Sequence, residues 1–419
     1  MINPLIAITR KHAILFAAYL VFYEFLVYIA NDMIMPGMLT VVQDFHADES
    51  RIATSLTAYI LGGASLQLLL GPISDRFGRR PVMLLGSALF SVVTLLLPWV
   101  HTMDQFLIGR FFEGMGLCYI HVVGYALLQE IFSDEDAIRV IAIMANVAIL
   151  APLLGPLAGS VFLQYATWRA IFYLIGGLSV LALWGLWHYM PESVGQIKHD
   201  GKMIKRINIS LSSILGNYKI LAQHPKFVLG TFAHAILGIP CVVWIALSPV
   251  MLVSRAHMSM VMYGVWQIPV FGAIIVANIL LSYLSRRCSI LRLSFIGSMI
   301  VFFGLALMCL FPYFYGVEPF GLMPGLVIYC LGYGMAATPL YRFILFSTQI
   351  GTGTTSALIS TITMCSLAAG TELGNRLFAV DGNRSIANYV GWIAVIYLAC
   401  ACASLLLHKR QKSLGVENL

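Results

Sequence analysis

The chain has 419 residues, of which 60% are hydrophobic and 10% are charged, and its mean hydropathy is +0.88. A soluble domain of this length with so little charge is excluded, so most of the surface must face lipid. Basic loops at one membrane face and anionic lipid head groups account for the net charge of +7, so no nucleic-acid partner is needed.

Twelve apolar segments are long enough to cross a bilayer, which takes about 20 residues. The predicted spans are 13–35, 52–70, 82–99, 105–129, 139–163, 170–189, 227–253, 262–284, 291–311, 321–347, 355–378 and 386–407. We therefore predict an all-α polytopic membrane protein, with twelve transmembrane helices in two six-helix pseudo-repeats.

A long polar stretch separates the two sets of spans. It predicts an N-terminal six-helix bundle over 1–190, a linker over 191–226 and a C-terminal six-helix bundle over 227–419. Lys and Arg concentrate in this linker and in the loops on the same side of the membrane. By the positive-inside rule, the linker and both termini are expected in the cytoplasm.

The first span carries two carboxylates, Glu24 and Asp32. A carboxylate in hydrocarbon costs roughly 2.5 to 3.5 kcal/mol by insertion scales, so its presence in a span indicates function. The two residues are separated by roughly 12 Å along the helix axis and about 80° around it. Such a pair could bind a proton or a cationic drug, and a purely structural buried pair is the alternative.

The loop after the second span reads Gly71-Pro72-Ile73-Ser74-Asp75-Arg76-Phe77-Gly78-Arg79-Arg80-Pro81. A simple positive-inside loop would explain the two final arginines but not the whole pattern. The string resembles the loop signature of the major facilitator superfamily. The resemblance implies a cytoplasmic conformational latch, in which Asp75 pairs with a neighbouring helix in one state. Its members would be Gly71, Asp75, Arg76, Gly78, Arg79 and Arg80.

The fourth span contains Arg110, which must face a cavity or a carboxylate, and we expect it to meet Asp32. The superfamily pattern that this segment resembles has Gln where the chain has Glu113. Glu113 lies three residues from Arg110 on one helical face. It is therefore either the local partner of Arg110 or an additional proton site. Glu130, near the end of the same span, is expected to snorkel or to join the latch.

The fifth span contains a cluster of helix-weakening and small residues: Ala151, Pro152, Gly155, Pro156 and Gly159. Prolines and glycines at these positions allow a kink and close helix approach, although both residue types are common in membrane helices. The segment resembles the motif of proton-driven antiporters in the superfamily, which favours export over uptake.

Nearly the whole chain resembles the twelve-helix drug:proton antiporter family, with the linker and the final helix least similar. The segments that carry the likeness are 23–39, 71–81, 124–125, 129–130, 144–147, 151–152, 244–246, 248–249, 267–273 and 342–346. The resemblance implies export of lipophilic cationic and neutral compounds, such as chloramphenicol, by alternating access. Glu24 and Asp32 would be the proton and substrate carboxylates and Arg110 their paired cation. The drug cavity would be lined by Tyr28, Asn31, Met144 and Ala148.

An enzyme would need a nucleophile cluster, a metal-ligand set or a phosphate loop, and the sequence contains no HExxH, paired Cys or P-loop. We therefore predict no catalytic residue, no metal and no cofactor, with the proton gradient as the driving force. The expected partners are small lipophilic drugs, protons and membrane lipids, and the protein is expected to be a monomer in the bacterial inner membrane. A dedicated proton-driven exporter of one metabolite, such as a sugar or amino-acid derivative, is the alternative function.

Overall fold

The computed structural model describes residues 4–198, 203–204, 211–285, 287–315, 319–348 and 350–413. These residues form helices and short connections, with two isolated bridge pairs and no strand among them. Helices are expected because lipid offers no partner for backbone N–H and C=O groups. The chain divides into two compact units, Met1–Ser210 and Leu211–Leu419. Their boundary falls inside the predicted linker, of which residues 199–202 and 205–210 lie outside the described residues.

The first unit contains nine α-helices within its described residues. They are α1 (Arg10–Asp32), α2 (Met38–Asp44), α3 (Arg51–Ser65), α4 (Gln67–Phe77), α5 (Arg79–Leu96), α6 (Met103–Tyr119), α7 (Tyr125–Ile131), α8 (Asp134–Phe162) and α9 (Trp168–Tyr189). A π-helical segment, Ile120–Gly124, joins α6 to α7. Such segments displace side chains from regular helical positions and are frequent at functional sites.

The second unit contains six α-helices within its described residues. They are α10 (Leu211–Gln223), α11 (Pro225–Ser248), α12 (Met260–Leu284), α13 (Ile290–Tyr315), α14 (Met323–Leu345) and α15 (Thr352–Ser413). The long α15 is broken by non-helical backbone at Asp381 and Gly382. It therefore consists of two helices joined at a kink.

Ten helices in the described part of the chain are long and apolar enough to cross a membrane. The pair α3 and α4, which bends by 41° at its break, supplies an eleventh. Counting α15 as two helices gives twelve spans over the described ranges, six in each unit. The predicted all-α fold with two six-helix sets is confirmed.

In the first unit, α1 lies against α6, α8 and α9, while α3 and α5 both pack on α6. This arrangement encloses the charged part of the first span. Glu24 and Asp32 are both buried on α1, as are Arg110 and Glu113 on α6. The packing therefore brings the ionisable residues of two spans into the interior of one unit.

Candidate functional site: a buried charge network in the first unit

Glu24 is completely buried, and the hydroxyl of Tyr125 donates a hydrogen bond of 3.1 Å to its Oε1. Within the described residues its Oε2 has no hydrogen-bond partner. Tyr125 begins α7 directly after the π-helical segment, and its ring lies 5.9 Å from that of His121. His121 Nε2 is in turn 3.0 Å from the hydroxyl of Tyr28. Tyr125 therefore connects the carboxylate to His121 and, through it, to Tyr28.

The second carboxylate, Asp32, belongs to a longer buried network. Arg110 donates through Nη1 to Glu113 Oε2 at 2.5 Å and through Nη2 to Asn31 Oδ1 at 2.6 Å. Asn31 Nδ2 then donates to Asp32 Oδ1 at 3.2 Å. Nη1 also approaches the carbonyl of Ala30, at 3.4 Å. The network thus links two spans through one guanidinium.

The predicted direct contact between Arg110 and Asp32 is wrong. The described residues contain no ion pair between these two side chains; Arg110 pairs with Glu113 on its own helix, at 2.5 Å. The physical reason is the helical spacing of three residues, which places Glu113 on the same face as the arginine. Asn31 occupies the space between Arg110 and Asp32 and joins them indirectly.

Two uncharged residues complete the surroundings of the ion pair. The Thr94 hydroxyl, on α5, donates a bond of 3.0 Å to Glu113 Oε1. The guanidinium of Arg110 lies 4.5 Å from the ring centroid of Tyr59, on α3. The Tyr59 hydroxyl donates to the carbonyl of Val27 on α1. Side chains of α1, α3 and α5 therefore hold the ion pair in position.

The fifth span, α8, approaches the site through two of its predicted glycines. A Cβ atom added at Gly155 would lie 2.7 Å from the Cβ of Asp32, and one at Gly159 would lie 2.0 Å from the carbonyl oxygen of Met33. Any larger residue at either position would push the two helices apart. Gly155 is therefore the residue that brings α8 into direct contact with Asp32.

The other residues of this predicted motif lie in the same helix. Ala151 and Pro156 are buried, and Pro152 is half-buried. The helix nevertheless continues without interruption from Asp134 to Phe162. The motif here allows close approach rather than a break in the span.

The four residues predicted to line a drug cavity lie on helices that pack together. Tyr28 and Asn31 are on α1, and Met144 and Ala148 are on α8. Asn31 and Met144 are buried, whereas Tyr28 and Ala148 are half-buried. The structure assigns Asn31 to the charge network and Tyr28 to the histidine contact.

The predicted latch contains a charge cluster at the junction of α4 and α5. Arg79 Nη2 contacts Asp75 Oδ1 at 2.5 Å and Glu130 Oε1 at 2.8 Å, and Nη1 donates to the hydroxyl of Ser74 at 2.5 Å. Ser193 donates to Glu130 Oε2 at 2.5 Å. Asp75, on α4, thus pairs with the first residue of α5, and Arg79 also reaches α7 through Glu130. Glu130 is part of this cluster, so of its two expected roles the structure shows the one in the latch.

Glu192 was missed by the sequence reasoning. Its carboxylate accepts hydrogen bonds from the backbone N–H groups of Arg79 and Arg80, at 2.9 and 3.1 Å, and so caps the N-terminus of α5. Gly78 has a φ of +108°, and a Cβ there would lie within 2.4 Å of this carboxylate. Arg80 Nη2 donates to the carbonyl of Trp187 at 2.6 Å.

The two remaining latch residues have local contacts. The Ser74 hydroxyl donates to the Gly71 carbonyl at 2.9 Å, and the Arg76 guanidinium lies 5.5 Å from the ring centroid of Phe77. The latch residues and the carboxylate site therefore belong to the same unit.

The family model described as Major Facilitator Superfamily matches residues 20–371, which include both carboxylates, the latch and the glycine-rich part of α8. The chain belongs to the Major Facilitator Superfamily. This confirms the family predicted from the loop after the second span.

Curated members of the superfamily resemble the chain over most of its length. "Multidrug transporter MdfA" of Edwardsiella piscicida is 40% identical over 393 residues, which are 93% of this chain and 94% of that protein. The protein of the same name from Yersinia pestis bv. Antiqua (strain Angola) is 41% identical over 89% of this chain and 90% of its own length. The protein of that name from Escherichia coli O6:H1 is 36% identical over 93% of this chain and 94% of its own length.

Solved structures of superfamily members share the fold. The xylose transporter XylE from E. coli, in a partially occluded inward-open conformation, gives a TM-score of 0.69 at 15% identity, with 94% of this chain and 97% of that chain covered. A D-xylose-proton symporter gives a TM-score of 0.70 at 16% identity, with 92% and 96% covered. With its membrane-spanning helices and these relatives, the chain is a multi-pass protein of the bacterial inner membrane, and it is not an enzyme.

Proposed function

We propose that the protein is a proton-coupled multidrug efflux antiporter, which exports lipophilic cationic and neutral compounds, chloramphenicol among them, by alternating access. The observation that carries the proposal is the pair of buried carboxylates on α1, each held by neutral donors. The resemblance to proteins named multidrug transporters supports the same function. Those names favour many substrates over a single exported metabolite.

Exchange between proton and drug follows from the cost of burying a negative charge. An ionised carboxylate in a low-dielectric interior must be neutralised by a proton or balanced by a cation. Glu24 and Asp32 each accept one described side-chain hydrogen bond from a neutral group, and the cation of Arg110 is taken up by Glu113. A proton and a lipophilic cation would therefore compete for the same two carboxylates.

The proton gradient supplies the driving force, and no cofactor is part of the proposal. Moving a proton inward releases about 2.3 kcal/mol per 100 mV of membrane potential and about 1.4 kcal/mol per pH unit. Exchange of one proton for a neutral drug moves charge across the membrane, whereas exchange for a monovalent cation does not. The two substrate classes should therefore respond differently to the membrane potential.

The proposal also covers the oligomeric state, the orientation in the membrane and the contact between α8 and Asp32. The protein would act as a monomer in contact with lipids, with both termini in the cytoplasm, as the distribution of Lys and Arg indicates. Gly155 places α8 against the Cβ of Asp32. A movement of Asp32 on protonation or drug binding would therefore displace α8 directly. The Asp75, Arg79 and Glu130 cluster would stabilise one of the alternating states.

The test is transport by inverted membrane vesicles that contain the protein, with an imposed pH gradient, acid inside. Uptake of tetraphenylphosphonium and of chloramphenicol would be compared for the wild type, Glu24→Gln and Asp32→Asn. Glu135→Gln, which alters an exposed carboxylate of the same unit, is the matched control. The proposal requires gradient-dependent uptake of both compounds, loss of cation uptake in Asp32→Asn and no loss in the control. Cation uptake by Asp32→Asn at the wild-type rate would refute it.

A further inference from the structure

We propose that Glu113 determines substrate specificity, by taking up the charge of Arg110 so that Asp32 stays available for an organic cation. This inference rests on the proposed function and goes beyond it. Glu113, on α6, would control the binding of cationic compounds but not of neutral ones. It would do so without contacting the drug.

The charges of the buried pair balance each other. Arg110 and Glu113 are both fully buried, with Nη1 and Oε2 2.5 Å apart. At this distance the two charges form a neutral unit, because both side chains are buried and each is the nearest opposite charge of the other. Thr94 donates to the second carboxylate oxygen, at 3.0 Å, and so holds Glu113 in place from another helix.

Arg110 also sets the orientation of the Asn31 amide. Arg110 has only donors, so Nη2 requires the carbonyl oxygen of the amide, and these atoms are 2.6 Å apart. The amide nitrogen is then the atom that faces Asp32, at 3.2 Å. Asp32 consequently receives a neutral donor in place of a guanidinium.

The superfamily pattern that this segment resembles has Gln at the position of Glu113. An amide there would leave Arg110 without an anionic partner on its own helix. Asp32, reached through Asn31, would then be the carboxylate available to balance the buried charge. In this chain Glu113 balances the charge of Arg110, so Asp32 is not needed for that purpose.

The ligand that gains from this arrangement is a lipophilic monovalent cation. Its charge is attracted by Asp32 and is not opposed by Arg110, whose charge Glu113 balances. A neutral compound makes no such charge interaction, so its affinity should not depend on Glu113. Glu113 acts in this way as a positioning residue for Arg110.

The inference is tested by equilibrium binding of tetraphenylphosphonium and chloramphenicol to the purified full chain in detergent. The variants are Glu113→Gln, the double variant Arg110→Gln/Glu113→Gln and the control Glu135→Gln, which makes the same substitution at an exposed carboxylate of the same unit. In Glu113→Gln we expect the tetraphenylphosphonium affinity to fall about tenfold or more, since the unbalanced arginine opposes a nearby cation. Chloramphenicol affinity should change less than about twofold, which also reports that the variant is folded.

The double variant separates charge from packing. Removing both members of the pair again leaves Asp32 without a competing cation, so tetraphenylphosphonium affinity should return toward the wild-type value. Glu135→Gln should bind both compounds as the wild type does. Equal losses for both compounds in Glu113→Gln, or no loss for either, would overturn the inference. Failure of the wild type to bind either compound would instead refute the proposed function, and the inference with it.

Discussion

The interiors of the two units differ in charge. Four carboxylates are buried in the first unit: Glu24, Asp32, Glu113 and Asp136. Within the described residues of the second unit, the buried polar side chains are Ser, Thr, Gln and Asn, together with Lys226, and none is a carboxylate. Two units built from the same number of spans therefore offer different chemistry.

Several buried polar contacts in the described part of the second unit join neutral groups. Trp244 Nε1 donates to Gln267 Oε1 at 2.8 Å, and the Tyr329 hydroxyl donates to the carbonyl of Leu237 at 2.6 Å. Such contacts satisfy buried donors without changing the charge of the interior. Under the proposed function, proton exchange would therefore belong to the first unit, whose interior holds the buried carboxylates.

The largest effect on transport is expected at Asp32, in the first unit. Asp32→Asn keeps the shape of the side chain but removes the negative charge that the proposed exchange requires. Export of tetraphenylphosphonium should be abolished, as measured by gradient-driven uptake into inverted vesicles. A variant that still exports the cation would place the exchange chemistry elsewhere.

The next effect is expected at the contact between α8 and α1. Gly155→Ala introduces a methyl group 2.7 Å from the Cβ of Asp32, so α8 must move away. Transport of both cationic and neutral compounds should fall strongly, with a loss of stability of about 1–3 kcal/mol, typical of overpacking. Transport assays and thermal unfolding check these expectations.

Gly177→Ala is the matched control for that change, because a Cβ at Gly177 in α9 would meet nothing within 4 Å. It should preserve both transport and stability. Equal behaviour of the two alanine variants would show that close approach of α8 to Asp32 is unimportant.

A smaller effect is expected at the latch cluster. Glu130→Gln removes the charge that Arg79 contacts at 2.8 Å on α7 but leaves the Asp75 contact. The rate of transport should fall several-fold while drug affinity stays unchanged, because the cluster is proposed to stabilise one of the alternating states and makes no contact with the carboxylate pair. Parallel measurements of initial rates and equilibrium binding test this. A selective loss of drug affinity would contradict it.

The smallest effect on specificity is expected in the second unit. Gln267→Leu leaves Trp244 Nε1 without its acceptor and should cost about 1–3 kcal/mol of stability. The ratio of cationic to neutral drug affinity should be unchanged, in contrast to Glu113→Gln. If Gln267→Leu altered that ratio, the division of chemistry between the units would be wrong.

Intramembrane charge is the feature that sequence predicts best here. Glu24, Asp32 and Arg110 stand out because charges are rare in spans, and apolar length was sufficient to predict the twelve helices. The indirect link through Asn31 depends on the rotation of α1 relative to α6 and on the orientation of one amide. Neither is encoded in local spacing.

Other members of the site have no local signal at all. Thr94 and Tyr59 are ordinary residues for a membrane helix, and only tertiary packing places them beside Glu113 and Arg110. Glu192 caps α5 from a position 113 residues away from Arg79 in the chain. From the sequence, Gly78 could be predicted only to lie in a turn. Its positive φ, and the nearby Glu192 carboxylate, are visible only in the structure.

The most direct test of the account is proton release from purified, detergent-solubilised protein upon addition of tetraphenylphosphonium and then chloramphenicol. Wild type, Glu24→Gln and Asp32→Asn would be compared with Glu372→Gln, a change of a carboxylate in the second unit. We predict release in the wild type and in Glu372→Gln, and its loss in the two α1 variants. Undiminished release from both α1 variants would contradict the assignment of proton exchange to the buried carboxylates of the first unit.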